Sequence, residues 1–207
     1  MKKNYSYIGI SFIILIFGIW AVPKIVDHLS KSELETIGAV PAFSLTDQHG
    51  KTITNEDYKD KVYVVEFFFT TCPSICPIMT ENMIKIQNEF LGNPKVGMAS
   101  FSIDPEHDTP QVLKEYAIEK GITKPQWHLL TGPKEEIFKL ANEGFNLYVG
   151  EVPDADGGFE HSGFFALIDQ EGNIRSRKDE QGNPIVYYDG LDDKQIQILK
   201  EDIHNLL

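Results

Sequence analysis

Cysteine is scarce in this sequence: 207 residues include two, Cys72 and Cys76, and neither lies near the N-terminus. A structural zinc site takes four cysteine and histidine ligands, and no histidine follows at finger spacing, so this class of site is a poor interpretation. With no cysteine near the N-terminal segment, we also expect no lipid anchor there. A disulfide between residues this close removes little chain entropy. The pair therefore favours chemistry over structural stabilisation.

Basic residues are also few, with 19 Lys and Arg against 31 Asp and Glu and a net charge of −12. Nucleic-acid interfaces and contacts with anionic lipid need clustered positive charge, so neither is expected. Repeats and low-complexity tracts are absent from the sequence. The length beyond the N-terminal segment suits a single domain with its own core.

The N-terminal stretch carries no charge between Lys3 and residue 24 and is rich in Ile and Phe. About 20 such residues form a helix long enough to cross a bilayer. The segment "WAVPKIV" is a poor signal-peptidase site. We therefore predict an uncleaved anchor over 1–23, a polar linker over 24–39 and one domain over 40–207.

The lysines before the apolar stretch favour an N-terminus on the inner side of the membrane. The domain is then expected on the exported side, with a bacterial inner membrane and a periplasm as the setting. Cysteines of exported proteins usually meet oxidising conditions, so a redox role for the pair stays open at this point.

Hydrophobic patterning predicts an α/β fold. Val62–Phe69 is a continuous apolar run interrupted by Glu66, which is typical of a strand buried on both faces of a parallel sheet. Helical and strand patterns alternate after it, and a hairpin comes before it. This order predicts a mixed sheet with helices on both faces. The acidic, glycine-rich segment Asn146–Gly163 fits no regular element, and we predict a functional or mobile loop.

Cys72 follows the predicted buried strand, and Cys76 comes one helical turn later. Side chains at i and i+4 share a helix face, with Cα atoms about 6 Å apart. This spacing permits a disulfide, and it equally permits two sulfurs to bind one soft ion. A helix N-terminus favours the thiolate, which is both nucleophile and metal ligand. Two thiolates alone suit Cu(I), and thiolate with imidazole suits Cu(I), Cu(II) or zinc.

Among the histidines, His161 stands out because it ends the long acidic segment and precedes a strand. His107 also follows a strand and is a weaker candidate, whereas His128 reads as a core or surface residue. Met79 and Met83 offer thioether ligands, but their helical spacing favours core packing.

Four stretches, "FFFTTCPSICPIM", "SIDPEHDTP", "WHLLTG" and "FEHSGFFALID", follow one another at the spacing of the Sco/SenC family. The sequence resembles that family from about residue 40 to its end. Its members are membrane-anchored, thioredoxin-like copper chaperones for cytochrome c oxidase. The resemblance therefore implies a thioredoxin-like fold with an inserted hairpin or loop, and delivery of copper to the binuclear copper site of that oxidase.

By the same resemblance, Cys72, Cys76 and His161 are the copper ligands, and Asp104 lies near the metal. The implied partner is the copper-site subunit of cytochrome c oxidase, with other copper carriers or thiol reductants as further partners. Three positions depart from the family pattern. Glu160 stands where Asp is common, His107 where Arg is common, and Glu66 where an uncharged residue is expected.

Two other functions also use cysteines on a thioredoxin-like fold. A thiol-disulfide reductase that keeps a partner's cysteines reduced remains the alternative, because the same pair can cycle between dithiol and disulfide. The spacing weakens it, since thioredoxin-like reductases have two residues between their cysteines and this chain has three. A peroxiredoxin-type peroxidase is excluded, because such enzymes have Thr three residues before the active cysteine and Phe69 stands there.

Overall fold

The computed structural model describes residues 11–22, 34–152, 156–179 and 181–207. The chain forms two compact units, Met1–Glu33 and Leu34–Leu207. In the first unit, a helix (α1) occupies 11–22. The rest of the predicted anchor, and the predicted linker up to residue 33, lie outside the described residues. No helix in the described part of the chain is long and apolar enough to cross a membrane.

The second unit alternates strands and helices. Its strands are β1 (Glu35–Ala39), β2 (Ser44–Asp47), β3 (Thr52–Thr54), β4 (Val62–Phe68), β5 (Val96–Ser102), β6 (Trp127–Thr131), β7 (Val149–Glu151), β8 (Phe159–His161), β9 (Phe164–Ile168), β10 (Asn173–Ser176) and β11 (Tyr188–Asp189). Its helices are α2 (Cys76–Phe90), α3 (Pro110–Lys120), α4 (Lys134–Lys139) and α5 (Asp193–Leu206), with short 3-10 turns at Asn55–Tyr58 and Asp156–Gly158 and a π-helical turn at Leu140–Gly144.

The main sheet is mixed, as predicted. Its strands lie in the order β1-β10-β9-β4-β5-β6-β2-β3, and β11 pairs with β9. The central strands β4, β5 and β6 are parallel, whereas β9 runs antiparallel to β4. Every residue of β4 and β5 is buried, which explains their continuous apolar runs.

Both faces of the sheet are covered. On one face, the Phe68 ring lies 5.7 Å from the ring of Tyr116 in α3. On the other face, Phe67 lies 5.7 Å from Phe145, which follows the π-helical turn after α4. Side chains alternate along a strand, so Glu66 lies on the same face as Phe68.

Residues 35–39 differ from the prediction that placed them in a linker. They form β1, an edge strand paired antiparallel with β10. The Arg175 side chain beside it binds Asp169 and the backbone oxygen of Leu34, which fixes the start of the compact unit. The polar sequence of β1 was misleading because an edge strand gains its order from the neighbouring strand, and its own side chains stay partly exposed.

The long acidic segment also differs from a simple loop. β7 and β8 within it form a two-stranded antiparallel sheet in which Val149 faces His161. The Asn142 side chain binds both backbone groups of Val149, at 2.9 and 3.1 Å, and so ties β7 to the turn after α4. The segment is therefore an inserted hairpin that ends at His161.

Candidate metal centre

The cysteines lie where the fold changes from strand to helix. β4 ends at Phe68 and α2 begins at Cys76, with Cys72 in the turn between them. The Cys72 amide donates to the Phe69 carbonyl oxygen, which closes that turn. Both cysteines are free thiols, exposed by only 7% and 1%. Cys72 follows the buried strand as predicted, but α2 begins only at Cys76, so Cys72 lies before the helix and not in its first turn.

His161 reaches the same place from β8. Its Nε2 lies 3.1 Å from the Sγ of Cys76, and its Nδ1 lies 3.1 Å from the backbone oxygen of Ser162. A carbonyl oxygen only accepts, so Nδ1 carries the proton and the Nε2 lone pair faces the sulfur. One ligand atom from each of Cys72, Cys76 and His161 lies within 4.8 Å of the others, a grouping that could hold a metal ion.

The two thiols are electrostatically different. The pKa of Cys72 is lowered, chiefly because it accepts a hydrogen bond from Cys76. The pKa of Cys76 is raised, first by this hydrogen bond to Cys72 and then by burial. Cys72 is thus the thiolate of the pair, and Cys76 holds the shared proton.

His107 lies beside this site in a separate network. Its Nδ1 is 3.0 Å from Asp108, a fully buried carboxylate. Asp108 also accepts hydrogen bonds from the Thr70 amide at 3.0 Å and the Ser102 hydroxyl at 2.6 Å. This network holds the end of β4 two residues before Cys72, so Asp108 is a structural residue of the site that the sequence motif did not single out.

The remaining candidates lie outside the three-residue group. His128 is partly buried and its Nδ1 lies 3.0 Å from buried Asp47, which agrees with the interpretation of a core or surface residue. Met79 and Met83 are fully buried, which agrees with core packing. Asp104 is not among the grouped ligands; burial raises its pKa, and the charge of Asp108 raises it further.

An aromatic contact holds the hairpin over the cysteine turn. The Phe69 ring lies 5.4 Å from Phe159 and 5.8 Å from His161. Gly157, in a left-handed conformation (φ 82°), passes so close that an added Cβ would lie 2.7 Å from the Phe69 ring. Sequence reasoning missed this contact, because the glycine-rich stretch indicated only a functional or mobile loop.

The donor set fits a soft or borderline ion. Two sulfurs and one neutral imidazole nitrogen are ligands that copper accepts in both common oxidation states, and the described residues offer no fourth protein ligand to complete a closed structural zinc site. Fold and site together define a thioredoxin-like protein with a buried Cys-Cys-His group.

The chain belongs to the SCO1/SenC family, whose model matches residues 31–194. The "SCO1 protein homolog" of Bacillus subtilis is 33% identical over 154 residues, which cover 73% of this chain and 78% of that protein. "Protein sco1" of Schizosaccharomyces pombe is 34% identical over 162 residues, covering 73% of this chain and 60% of that protein. The chain thus spans less than two thirds of this second relative.

Solved structures of the same family share the fold. BsSco, described as having a disulfide switch and as "a member of the Sco family of cytochrome c oxidase assembly proteins", aligns with a TM-score of 0.69 at 27% identity, over 83% of this chain and 95% of that chain. Arabidopsis thaliana ScoI with copper bound aligns with a TM-score of 0.61 at 28% identity, over 81% and 98%. The expected family and its thioredoxin-like fold are confirmed.

Proposed function

We propose that this protein is a copper chaperone that uses Cys72, Cys76 and His161 to deliver copper to the binuclear copper site of cytochrome c oxidase during its assembly. The observation that carries the proposal is the grouping of the three ligand atoms within 4.8 Å. Support comes from relatives described as holding copper and as oxidase assembly proteins.

The incomplete ligand set suits transfer better than storage. Three protein ligands leave a position open on Cu(II), where an incoming ligand from a partner can bind before the donor's ligands leave. The partner must come close, because the three side chains are exposed by no more than 8%.

Apolar side chains beside the site offer such a partner a contact surface. Phe164 and Leu191 are exposed by 41 and 39%. Leu191 and Ile75 both approach Gly163, two residues beyond His161. Exposed apolar groups around a reactive site are typical of a surface that is covered during docking.

The proposal is tested by titrating the reduced protein with Cu(I) and with Cu(II), followed by mixing with the apo copper-site subunit of the oxidase. We expect one copper ion per chain in each state and transfer to the subunit. Oxidation to the disulfide should abolish uptake, because a disulfide sulfur is a poor ligand. Equal copper uptake by the oxidised and reduced proteins would contradict the proposed site.

A thiol-disulfide reductase is the second candidate, and the unequal thiols favour it. A buried pair with one thiolate and one protonated partner is what a nucleophilic exchange mechanism uses. The two functions differ at His161, because disulfide exchange requires the sulfurs and no imidazole ligand. Oxidase assembly in cells that survives in a His161 variant, while both single cysteine variants fail, would favour this candidate.

The membrane anchor belongs to the same proposal. An uncleaved apolar helix near residues 4–23 would hold the domain beside a membrane-embedded oxidase on the exported side. Protease added to intact spheroplasts should then release a fragment that reacts with antibodies against the domain. Release only after the membrane is permeabilised would place the domain on the inner side.

A further inference from the structure

Glu66 is a charged residue type in the middle of a buried strand. It belongs to β4, every residue of which is buried, and its own exposure is 2%. A buried carboxylate without compensating partners costs several kcal/mol, so such groups are found neutral or strongly hydrogen-bonded. An apolar side chain would fill this position at no electrostatic cost.

Only one of the two carboxyl oxygens of Glu66 has a hydrogen-bond partner among the described residues. Its Oε1 accepts from the Ser100 hydroxyl at 2.7 Å, and the Ser100 oxygen accepts from the Trp127 indole nitrogen at 2.9 Å. Its Oε2 is buried and has no hydrogen-bond partner among the described residues. Because native folds rarely leave such atoms unpaired, this oxygen points to a role beyond packing.

The charged groups that act on Glu66 belong to the candidate metal centre. Against the larger effect of burial, a protonated His161 from β8 would lower its pKa, while ionised Glu66 raises the pKa of Cys76 in α2 and of Tyr116 in α3. The groups from β5 and β6 are the uncharged Ser100 and Trp127. No hydrogen bond or ion pair within the described residues joins Glu66 to a candidate ligand, so the coupling acts through a medium of low dielectric constant.

We propose that Glu66 is the proton acceptor that offsets negative charge at the Cys72–Cys76–His161 site, so that each reduction of the site is coupled to uptake of one proton at Glu66 Oε2. For copper, the inference rests on the proposed function. For the copper-free dithiol/disulfide couple, the inference does not depend on the proposed function.

The charges balance as follows for copper. Two thiolates and a neutral imidazole hold Cu(II) without net charge, and one electron from a soluble one-electron reductant leaves a net negative charge on Cu(I). One proton from solvent then binds Oε2 of Glu66, so the total charge of the site and Glu66 is the same as before the reduction. Without copper, reduction of the disulfide by a dithiol reductant supplies two electrons and, from solvent, one proton. These give the Cys72 thiolate and the Cys76 thiol, and Glu66 takes up a second proton.

Burial raises the pKa of Glu66 to about 7, which places this exchange near neutral pH. Between about pH 6 and 8, the preference of the site for Cu(I) over Cu(II) should rise up to about tenfold for each unit that the pH falls. Glu66→Gln keeps the shape and stays neutral, so its preference should be nearly independent of pH in this range.

The experiment measures the potentials of the copper couple and of the copper-free dithiol/disulfide couple against pH, in the full chain and in two variants. In Glu66→Gln, the reduction of each couple should take up one proton fewer than in the unmutated chain. Ser100→Ala removes the hydrogen bond that stabilises ionised Glu66. In this variant the potentials should depend on pH as steeply as in the unmutated chain, but over a range at higher pH. A purely structural role of Glu66 would not produce this shift.

Infrared difference spectra of the unmutated chain give a readout that no folding defect can obscure. Reduction at neutral pH should produce the C=O stretch of a protonated carboxyl, and this band should shift when glutamate is labelled with carbon-13. A pH slope that survives in Glu66→Gln, or the absence of this band, overturns the inference. Failure to bind copper would instead overturn the proposed function, because the dithiol couple still tests Glu66.

Discussion

The sulfur half and the histidine half of the site are built differently. Cys72 and Cys76 follow β4, which pairs with β5 over seven residue pairs and with β9 over three in the centre of the main sheet. His161 ends β8, which belongs to a separate two-stranded sheet with three residue pairs. Local stability follows the number of buried contacts and ladder hydrogen bonds, so the histidine half opens at lower cost.

This difference suits a site that must release its ion. Fixed sulfurs retain Cu(I) while the imidazole leaves and a partner's ligand enters, because soft thiolates satisfy Cu(I) and Cu(II) requires more donors. Beyond its own ladder, the hairpin is held by Asn142 on Val149, by the Phe69–Phe159 contact, and by Lys134, which pairs with Glu151 and lies over the Phe159 ring. A protein built to store copper would gain nothing from one weakly held ligand.

The largest effect is expected from the rigid half. Cys76→Ser should abolish Cu(I) and Cu(II) binding, with a loss of affinity of more than about 100-fold, because an alcohol is a poor ligand for a soft ion. The unmutated chain is the reference in a chelator competition. Residual binding within about tenfold of that reference would remove Cys76 from the ligand set.

His161→Ala tests the histidine half directly. We expect Cu(II) affinity to fall by about 100-fold and Cu(I) affinity by about tenfold or less, since both sulfurs remain. Reduction of a model disulfide should change little. Charge-transfer bands report Cu(II), and competition with a chelator reports Cu(I). Equal losses of affinity for both oxidation states would contradict the expectation that the cysteines alone hold Cu(I) and that His161 matters mainly for Cu(II).

Gly157→Ala should loosen the hairpin without touching a ligand. The added Cβ would lie 2.7 Å from Phe69, on top of the strain of a left-handed residue, which is about 1 kcal/mol. Gly158→Ala is the matched control, because it has φ 83° but no atom within 4 Å of the added Cβ. We expect Cu(II) affinity to fall about tenfold more in the first variant than in the second.

Matching losses in the two glycine variants would trace the effect to backbone strain alone. The Phe69 contact would then be irrelevant to where His161 lies. The thermal unfolding midpoint should hardly distinguish the two, because the hairpin contributes few contacts to the main sheet. A large drop in the midpoint would show that the hairpin is part of the main cooperative unit.

The sequence predicted the rigid half better than the hairpin, for a physical reason. The Val62–Phe69 run and the helical spacing of Met79 and Met83 are local signals, and they correspond to β4 (Val62–Phe68) and α2 (Cys76–Phe90). β1, β7 and β8 are short, polar strands whose order depends on distant partners such as β10 and Asn142. His161 was singled out by its place at the end of the acidic segment and by the family pattern, but the hairpin that carries it was not predicted.

The contacts of Asp108 and Glu66 could not be predicted from the sequence either, because they involve residues that are distant in the chain. A sequence reveals that a carboxyl group is present, but its partners come from strands far apart in the chain. Asp108 gathers Thr70 from the end of β4 and Ser102 from β5. Only the assembled sheet shows that one of these acids is saturated with hydrogen bonds and the other is not.

The smallest effect concerns His107 at the edge of the rigid half. Its pKa is raised, first by the hydrogen bond to Asp108 and also by the charge of that carboxylate. A raised folded-state pKa means that this pairing stabilises the protein fully below the unfolded value of about 6.5 and is lost as pH rises through the folded value. The imidazole is half exposed, so solvent screening should limit the contribution to a few tenths of a kcal/mol. His107→Gln should therefore lower the unfolding midpoint slightly near pH 5.5, and not near pH 8.5, while Cu(I) affinity stays within about threefold of the reference. A larger loss of copper affinity would make His107 part of the binding site. The cysteine half of the site would then contain a histidine as well.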